Sequence, residues 1–293
     1  MNTRRDFIKS LGLVTGGLVL APSMDVFAAS KKSWFDISLA QWSLHRSIRK
    51  GDLDNLSFAE FTKKQFDIRA VEYVNQFFKD KAEDRAYLKE MKKRAKDNGV
   101  KNVLIMVDGE GNLGDADNAK RIKAVENHYK WVDAAKYLGC GAIRVNAAGQ
   151  GDPEDVKKRA VESMITLSDY ARKAKINVCI ENHGGISSHG DWLADLLRQV
   201  DRKNAGSLPD FGNFYEYDRY QGVTDLMPYA KGISAKSHDF DENGKEKGID
   251  YDRMMQIVKS GGYKGYIGIE YEGGRLSEVE GIKKTKALLE TYR

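Results

Sequence analysis

The sequence holds only two cysteines, four prolines and five histidines in 293 residues. Two cysteines cannot form the disulfide framework of a small secreted domain. Cys140 lies just before one predicted strand and Cys179 near the end of the next. On neighbouring parallel strands they would stand at different heights, beyond bridging distance, so two free thiols are expected. After residue 30 no apolar run reaches the roughly 20 residues that span a bilayer. No lysine or arginine block resembles a nucleic-acid arm, and a net charge of +5 is mild for this length. Lys89-Glu90-Met91-Lys92-Lys93-Arg94 and Lys157-Lys158-Arg159 read as solvated helix faces, and His128 as a surface residue in mid-helix. No glycine-rich phosphate cradle follows any predicted strand. These absences argue against nucleic-acid partners, a membrane-embedded fold and nucleotide chemistry.

The first 30 residues read as an address. Thr3-Arg4-Arg5-Asp6-Phe7-Ile8-Lys9 is a twin-arginine export motif. A short apolar stretch from Leu11 to Pro22 follows, and Val26, Ala28 and Ala29 suit cleavage after Ala28 or Ala29. Residues 1–30 are therefore expected to be a signal peptide and residues 31–293 one domain. The mature protein would be periplasmic, with no membrane attachment once the signal is removed. The twin-arginine route carries folded proteins, which suits a metal loaded before export. Oligomeric state has no signature in the sequence.

The remaining chain alternates short β-rich runs with longer amphipathic segments. Strands are predicted at Phe35–Ala40, Ala70–Val74, Lys101–Val107, Ala142–Asn146, Asn177–Glu181, Ala205–Asp210, Gly232–His238 and Tyr266–Glu270. Helices are predicted after each, with Gly99 and Gly139 as stops and Pro153 as a first-turn residue. Eight such pairs in about 260 residues match a single (β/α)8 barrel. An open doubly wound sheet would place a glycine-rich turn after its first strand; here that position reads Gln41-Trp42-Ser43-Leu44-His45.

Functional groups of such barrels collect where strands end. Ile180-Glu181-Asn182-His183, Leu208-Pro209-Asp210, Ala235-Lys236-Ser237-His238-Asp239 and Gly268-Ile269-Glu270 each end a strand with a possible ligand. Adjacent strands lie about 4.8 Å apart, so neighbouring tips can meet on one ion. Glu181, Asp210, His238 and Glu270 form the expected metal set. Three carboxylates and an imidazole suit Mn²⁺, Mg²⁺ or Co²⁺, and Zn²⁺ also. Ser234, Lys236 and His238 share one parity, so both Lys236 and His238 are candidates for the seventh tip. His238 is favoured as ligand because an ammonium repels a cation.

With these motifs the chain resembles the xylose-isomerase-like TIM barrel superfamily, of the sugar isomerase/epimerase and AP endonuclease family 2 type. The resemblance rests on Ile-Glu-Asn-His-Gly-Gly at 180–185, Asp-Phe-Gly-Asn at 210–213, Lys-Ser-His-Asp at 236–239 and Gly-Ile-Glu-Tyr-Glu-Gly at 268–273. It implies that the residues ending strands five to eight, Glu181, Asp210, His238 and Glu270, bind one divalent metal. It also implies proton transfer beside a carbonyl through an enediolate, with Glu181 and Glu270 on opposite faces of the sugar. One departure is visible. Relatives often end strand seven with His-x-Lys-Asp, and aligning that pattern on Asp239 puts Lys236 at the ligand place.

Lys236 is a further catalytic candidate, as an acid or a stabiliser of negative charge. His45, Glu72, Asn146, His183, Asn213 and Glu272 are candidate sugar contacts, with Asn182 beside them. Trp42, Phe211 and Phe214 are candidates for an apolar wall. The expected function is an exported, metal-dependent sugar isomerase or epimerase acting on a small-molecule sugar or sugar derivative, with no nucleic-acid partner. A lyase or hydrolase of keto-glycosides on the same site, or a non-catalytic sugar-binding module, are the other readings. An abasic-site endonuclease would need a multi-zinc cluster, and the strand tips carry too few histidines for one.

Overall fold

In the computed structural model, which describes residues 33–293, each strand run of the sequence becomes one strand of a parallel sheet. The strands are β1 Asp36–Ala40, β2 Ala70–Val74, β3 Lys101–Met106, β4 Ala142–Val145, β5 Asn177–Glu181, β6 Ala205–Leu208, β7 Ile233–Ser237 and β8 Tyr266–Tyr271. The helices are α1 His45–Lys50 and α2 Phe58–Phe66 after β1, α3 Arg85–Asp97, α4 Asn118–Leu138, α5 Pro153–Ala174, α6 Gly190–Val200, α7 Arg219–Leu226, α8 Tyr251–Ser260 and α9 Glu278–Glu290. The expected signal peptide lies outside the described residues. Among the described residues no helix is long and apolar enough to cross a membrane.

The helices start where side chains take up N–H groups that lack intrahelical partners. Asp117, Asp152, Asp218 and Asp250 cap α4, α5, α7 and α8. Ser277 and Glu280 form a reciprocal capping box on α9. Gly139 ends α4 at φ 81°, a left-handed turn that favours glycine. Helix α1 follows β1 after one 3-10 turn, Gln41–Leu44, and no sequence period announces it. Glu278 of α9 holds its start, accepting from the Arg46 and Ser47 N–H groups at 2.7 and 3.0 Å.

The sheet runs β6-β5-β4-β3-β2-β1-β8-β7, every pair parallel. Isolated pairings between Ser207 and Ala230 and between Asp210 and Ser234 join its two edges. Lys231 N–H donates to the Ser207 carbonyl and Ser234 N–H to the Pro209 carbonyl, both at 2.9 Å. The seam is sparse for a local reason: Pro209 has no N–H to give to a ladder. The fold is a single (β/α)8 barrel, as predicted.

Period-two alternation splits each strand between two layers. Ile37, Leu39, Val71, Tyr73, Ile105, Ile143, Val145, Val178, Ile180, Ile267 and Ile269 face the helices in the large core. A second, smaller apolar cluster of Ala40, Val74, Leu104, Met106, Ala142, Cys179 and Leu208 lines the barrel interior. The rest of the interior is polar and buried: Ser38, Glu72, Arg144, Glu181, Asp210, Ser234, Lys236 and Glu270. Cys140 and Cys179 are buried free thiols.

Two surface expectations fail. His128 is 2% exposed, with its ring Nδ1 2.7 Å from the Ala124 carbonyl. It lies on the face of α4 that packs inward, and burial lowers its pKa. Lys157 is also buried, its ammonium 2.8 Å from both Glu154 and Asp195.

Glu72 sits in the interior below the strand tips. It lines a cavity of about 570 Å³ at the N-terminal end of the strands, with Leu104, Ala142, Asn177, Gly232 and Tyr266. Gly268 makes room for it, since a Cβ there would lie 2.6 Å from Glu72 Oε2. Ser38 donates to Oε1 at 2.6 Å, while Oε2 has no partner. Burial pushes this carboxyl up to about 7, against the lowering effect of the Ser38 hydrogen bond. Folded Glu72 therefore keeps a proton that the unfolded chain loses near its ordinary value. Its contribution to stability is full below about pH 4.5 and is lost as pH rises through about 7. Glu72→Gln should match the parent at pH 4 and be more stable at pH 8, by up to about 3 kcal/mol. Urea unfolding at the two pH values measures this, and a constant difference between the proteins contradicts it.

Candidate functional site

Four inward-facing positions at the C-terminal ends of β4, β5, β7 and β8 carry Arg144, Glu181, Lys236 and Glu270. Asp210 follows β6, two residues past its last ladder position. Ligand oxygens of Glu181, Asp210 and Glu270 all lie within 4.8 Å of one another, and all three residues are buried. Among the described residues this is the group of His, Cys, Asp and Glu side chains close enough to hold a metal ion.

Each carboxylate is aimed by its neighbours. Asp210 Oδ1 accepts the backbone N–H groups of Gly212 and Asn213, both at 2.8 Å. This turns Oδ2 toward Ser234, whose hydroxyl donates at 2.6 Å. The Asn182 side chain clamps the Asp210 backbone, accepting from its N–H at 2.8 Å and donating to its carbonyl at 3.0 Å. Ser234 lies 3.0 Å from Glu270 Oε2 as well. Asn213 Nδ2 approaches Glu181 Oε1 at 3.4 Å. Arg144 Nε is 2.8 Å from Glu181 Oε2, although the angle leaves both atoms without a hydrogen bond. Arg144 also donates to Asp108 at 2.6 Å.

Lys236 is 2% exposed, and its ammonium lies 2.7 Å from Glu270 Oε1, 2.9 Å from Glu272 Oε1 and 3.7 Å from Asp210 Oδ2. Gly212 lets its stem pass; a Cβ at that position would come 2.6 Å from Lys236 Cγ.

The electrostatics divide the carboxylates. Burial raises Glu181 well above the usual carboxylate range; Arg144 opposes this, and the charges of Glu270 and Asp210 add to it. Burial raises Asp210 too, with Lys236 opposing and Glu270 adding. Glu270 goes the other way. Burial would raise it, but the charge and hydrogen bond of Lys236, then Arg144 and Ser234, hold it below its ordinary value. Burial works against the Lys236 charge, but Asp210, Glu270, Glu272 and Glu181 together raise its pKa well above normal.

The structure thus brings together Glu181, Asp210, Glu270, Lys236, Glu272 and Asn213. Asn146 joins at the edge, donating to Asp108 at 2.7 Å. Three candidates, His238, Glu72 and His45, are not in the cluster. His238 is exposed and stands outside the carboxylate group. The reason is local: Glu246 accepts the N–H groups of His238 and Asp239 at 3.1 and 3.3 Å, so β7 ends at Ser237 and the parity of the strand does not extend to 238. Glu72 lies below, as described. His45 stacks on Trp42 at 4.9 Å, with its ring Nδ1 2.7 Å from the Trp42 carbonyl. His183 stands at the rim just past β5, its backbone N–H held by Ser187; burial and then the charge of Arg144 lower its pKa, while Asp108 and Glu270 oppose this, so it lies within reach of the cluster's charges. Phe211 and Phe214 are core residues rather than a sugar wall. Trp42 is half-buried and also faces Phe77 at 6.1 Å.

Sequence reasoning missed Arg144, Asp108 and Ser234. Arg144 did leave a signal, as a charged residue at an inward position of a four-residue strand. Ser234 left one too, its shared parity with Lys236, whereas Asp108 left none, because its importance comes from Arg144 and Asn146, distant in sequence.

A divalent ion fits these residues. Three buried carboxylates converge, one oxygen of Glu181 lacks a hydrogen bond, and burial with neighbouring carboxylates pushes two of the three side chains up. Oxygen-rich sets of this kind suit hard divalent cations.

Comparison with known proteins places the chain. A stretch 35% identical over 71 residues matches the C-glycoside deglycosidase alpha subunit of Arthrobacter globiformis, covering 22% of this chain and 20% of that protein. The chain therefore spans about a fifth of that relative's length. Among solved structures, the IOLI protein with a zinc atom bound superposes with a TM-score of 0.71 at 14% identity, covering 88% of this chain and 98% of the other. A 3-keto-D-glucoside 4-epimerase from E. coli superposes with a TM-score of 0.66 at 15% identity, covering 80% and 94%. At such identities these two likenesses speak to the fold. Residues 63–292 match the family described as xylose isomerase-like TIM barrel, and the chain belongs to that family.

Proposed function

We propose that the protein is an exported, divalent-metal-dependent isomerase or epimerase of a sugar or sugar derivative. The observation that carries this reading is the convergence of Glu181, Asp210 and Glu270 beside two fixed cations at the C-terminal end of the barrel. Glu181, Asp210 and Glu270 would hold the ion. When bound, it would supply Lewis-acid stabilisation of negative charge on a substrate carbonyl oxygen.

The chain's own residues divide the proton work. Glu270, beside Lys236, is the base that takes a proton from the carbon next to the carbonyl. Glu181, on the neighbouring side of the cluster beside Arg144, is placed to return one. Lys236 and Arg144 stand ready to balance charge as it develops. Asn213, Glu272 and Asn146 offer hydrogen bonds to sugar hydroxyls at the rim.

Elimination or hydrolysis of a keto-glycoside is the second reading. It begins with the same proton removal, and the partial match to a C-glycoside deglycosidase subunit favours it. Export rests on the Thr3–Lys9 motif and is proposed on that ground.

One screen tests these points. Free sugars, 3-keto-sugars and glycosides are incubated with the metal-supplemented protein in D₂O and followed by NMR. Deuterium at one carbon without cleavage supports epimerisation or isomerisation, and released aglycone supports the second reading. No exchange with any member sinks the enzyme assignment. The same assay on periplasmic and cytosolic fractions tests the address.

A further inference from the structure

The seventh strand tip carries the wrong kind of group for a ligand. Lys236 faces the three carboxylates and His238 does not. A protonated lysine has three donors and no lone pair to give a metal. It nevertheless occupies coordination space, with its Nζ already on Glu270 and near Asp210. It cannot readily withdraw. Its stem is threaded past Gly212, its carbonyl accepts the Tyr251 hydroxyl at 2.7 Å, and the side chain is 2% exposed.

The charge balance still leaves room for a dication. Glu181, Asp210, Glu270, Glu272 and Asp108 are five carboxylates around two cations, Lys236 and Arg144. An incoming ion would meet a net negative site, but it would share Glu270 and Asp210 with an ammonium and, among the described residues, find no histidine joining the three carboxylates.

We infer that Lys236 is a built-in competitor for the divalent ion, so that the site binds metal weakly, through oxygen alone, and prefers Mg²⁺ or Mn²⁺ to Zn²⁺. This rests on the metal reading above. Repulsion between an ammonium and a dication a few ångströms apart is large wherever water is excluded, and oxygen-only sets favour hard cations whereas imidazole suits zinc.

The test is metal binding, read by calorimetry and by the EPR signal of free Mn²⁺ rather than by activity. Lys236→Met should bind Mn²⁺ at least tenfold more tightly than the parent. His238→Ala should bind as the parent does. Lys236→His, which restores a nitrogen donor, should gain most for Zn²⁺. Lys236→Gln removes the charge but keeps a donor for Glu270, and it serves if Lys236→Met does not fold. Equal or weaker Mn²⁺ binding by the charge-removed variant, with the parent still binding, overturns the lysine inference and leaves the metal reading intact. Loss of binding in His238→Ala also overturns it. If neither the parent nor any variant binds a divalent ion, both readings fall.

Discussion

Glu181→Gln and Glu270→Gln should each lower turnover by about 10²–10⁴-fold, the range that a positioned acid or base contributes. An amide keeps the shape and most of the packing but cannot take up or give a proton at neutral pH. The electrostatics separate this effect from misfolding. Burial and its two carboxylate neighbours push the Glu181 carboxyl up, against the opposing charge of Arg144, so a neutral amide in its place relieves a buried charge. Thermal stability should be equal or higher while turnover falls. Glu270 is held down by Lys236, so Glu270→Gln removes a favourable partner and should cost some stability. An activity loss that tracks unfolding in both variants would point to a structural role and remove Glu181 from the mechanism. In D₂O the Glu181 variant is the more telling one. If Glu270 still removes the proton, deuterium exchange into substrate should outlast net conversion.

Arg144→Met should have the largest effect on folding. Arg144 is 3% exposed and joins Asp108 and Glu181 across neighbouring strand ends. Removing one partner of a buried ion pair typically costs about 3–5 kcal/mol, because the other charge stays buried and uncompensated. Here two carboxylates lose their cation. Burial alone would raise Asp108; the charge and hydrogen bond of Arg144, with Asn146, hold it below its ordinary value. A depressed carboxyl contributes stability that is present above its unfolded pKa and lost as pH falls through the folded one. The deficit of Arg144→Met should therefore be larger at pH 7 than at pH 4, where the carboxylates gain protons. Urea midpoints at the two pH values measure it. Adding Glu181→Gln should recover part of the loss at pH 7. A deficit independent of pH, or no recovery in the double variant, would mean that Arg144 acts by packing alone.

Much of this architecture was legible from local rules. Hydrophobic period two marked the strands and aspartate, serine, proline and glycine marked the helix ends, so the predicted elements lie within a few residues of the observed ones. Helix α1 escaped because its stabilising partner, Glu278, is far along the chain. His128 and Lys157 were misplaced because helix periodicity names an inner face only when apolar residues fill it. Here a histidine bonded to its own helix and a lysine between two carboxylates fill inward places instead.

The sequence by itself determined a barrel of eight strands and placed carboxylates at the ends of the fifth, sixth and eighth, because hydrophobic period and strand ends are local properties of the chain. Which side chain completes the seventh tip was decided by tertiary structure alone. Lys236 and His238 share parity, but parity holds only while the ladder continues. The last pair of β7 joins Ser237 to Tyr271, and Glu246, eight residues beyond His238, captures the next two N–H groups. That turn sends the imidazole to solvent and leaves the ammonium among the carboxylates.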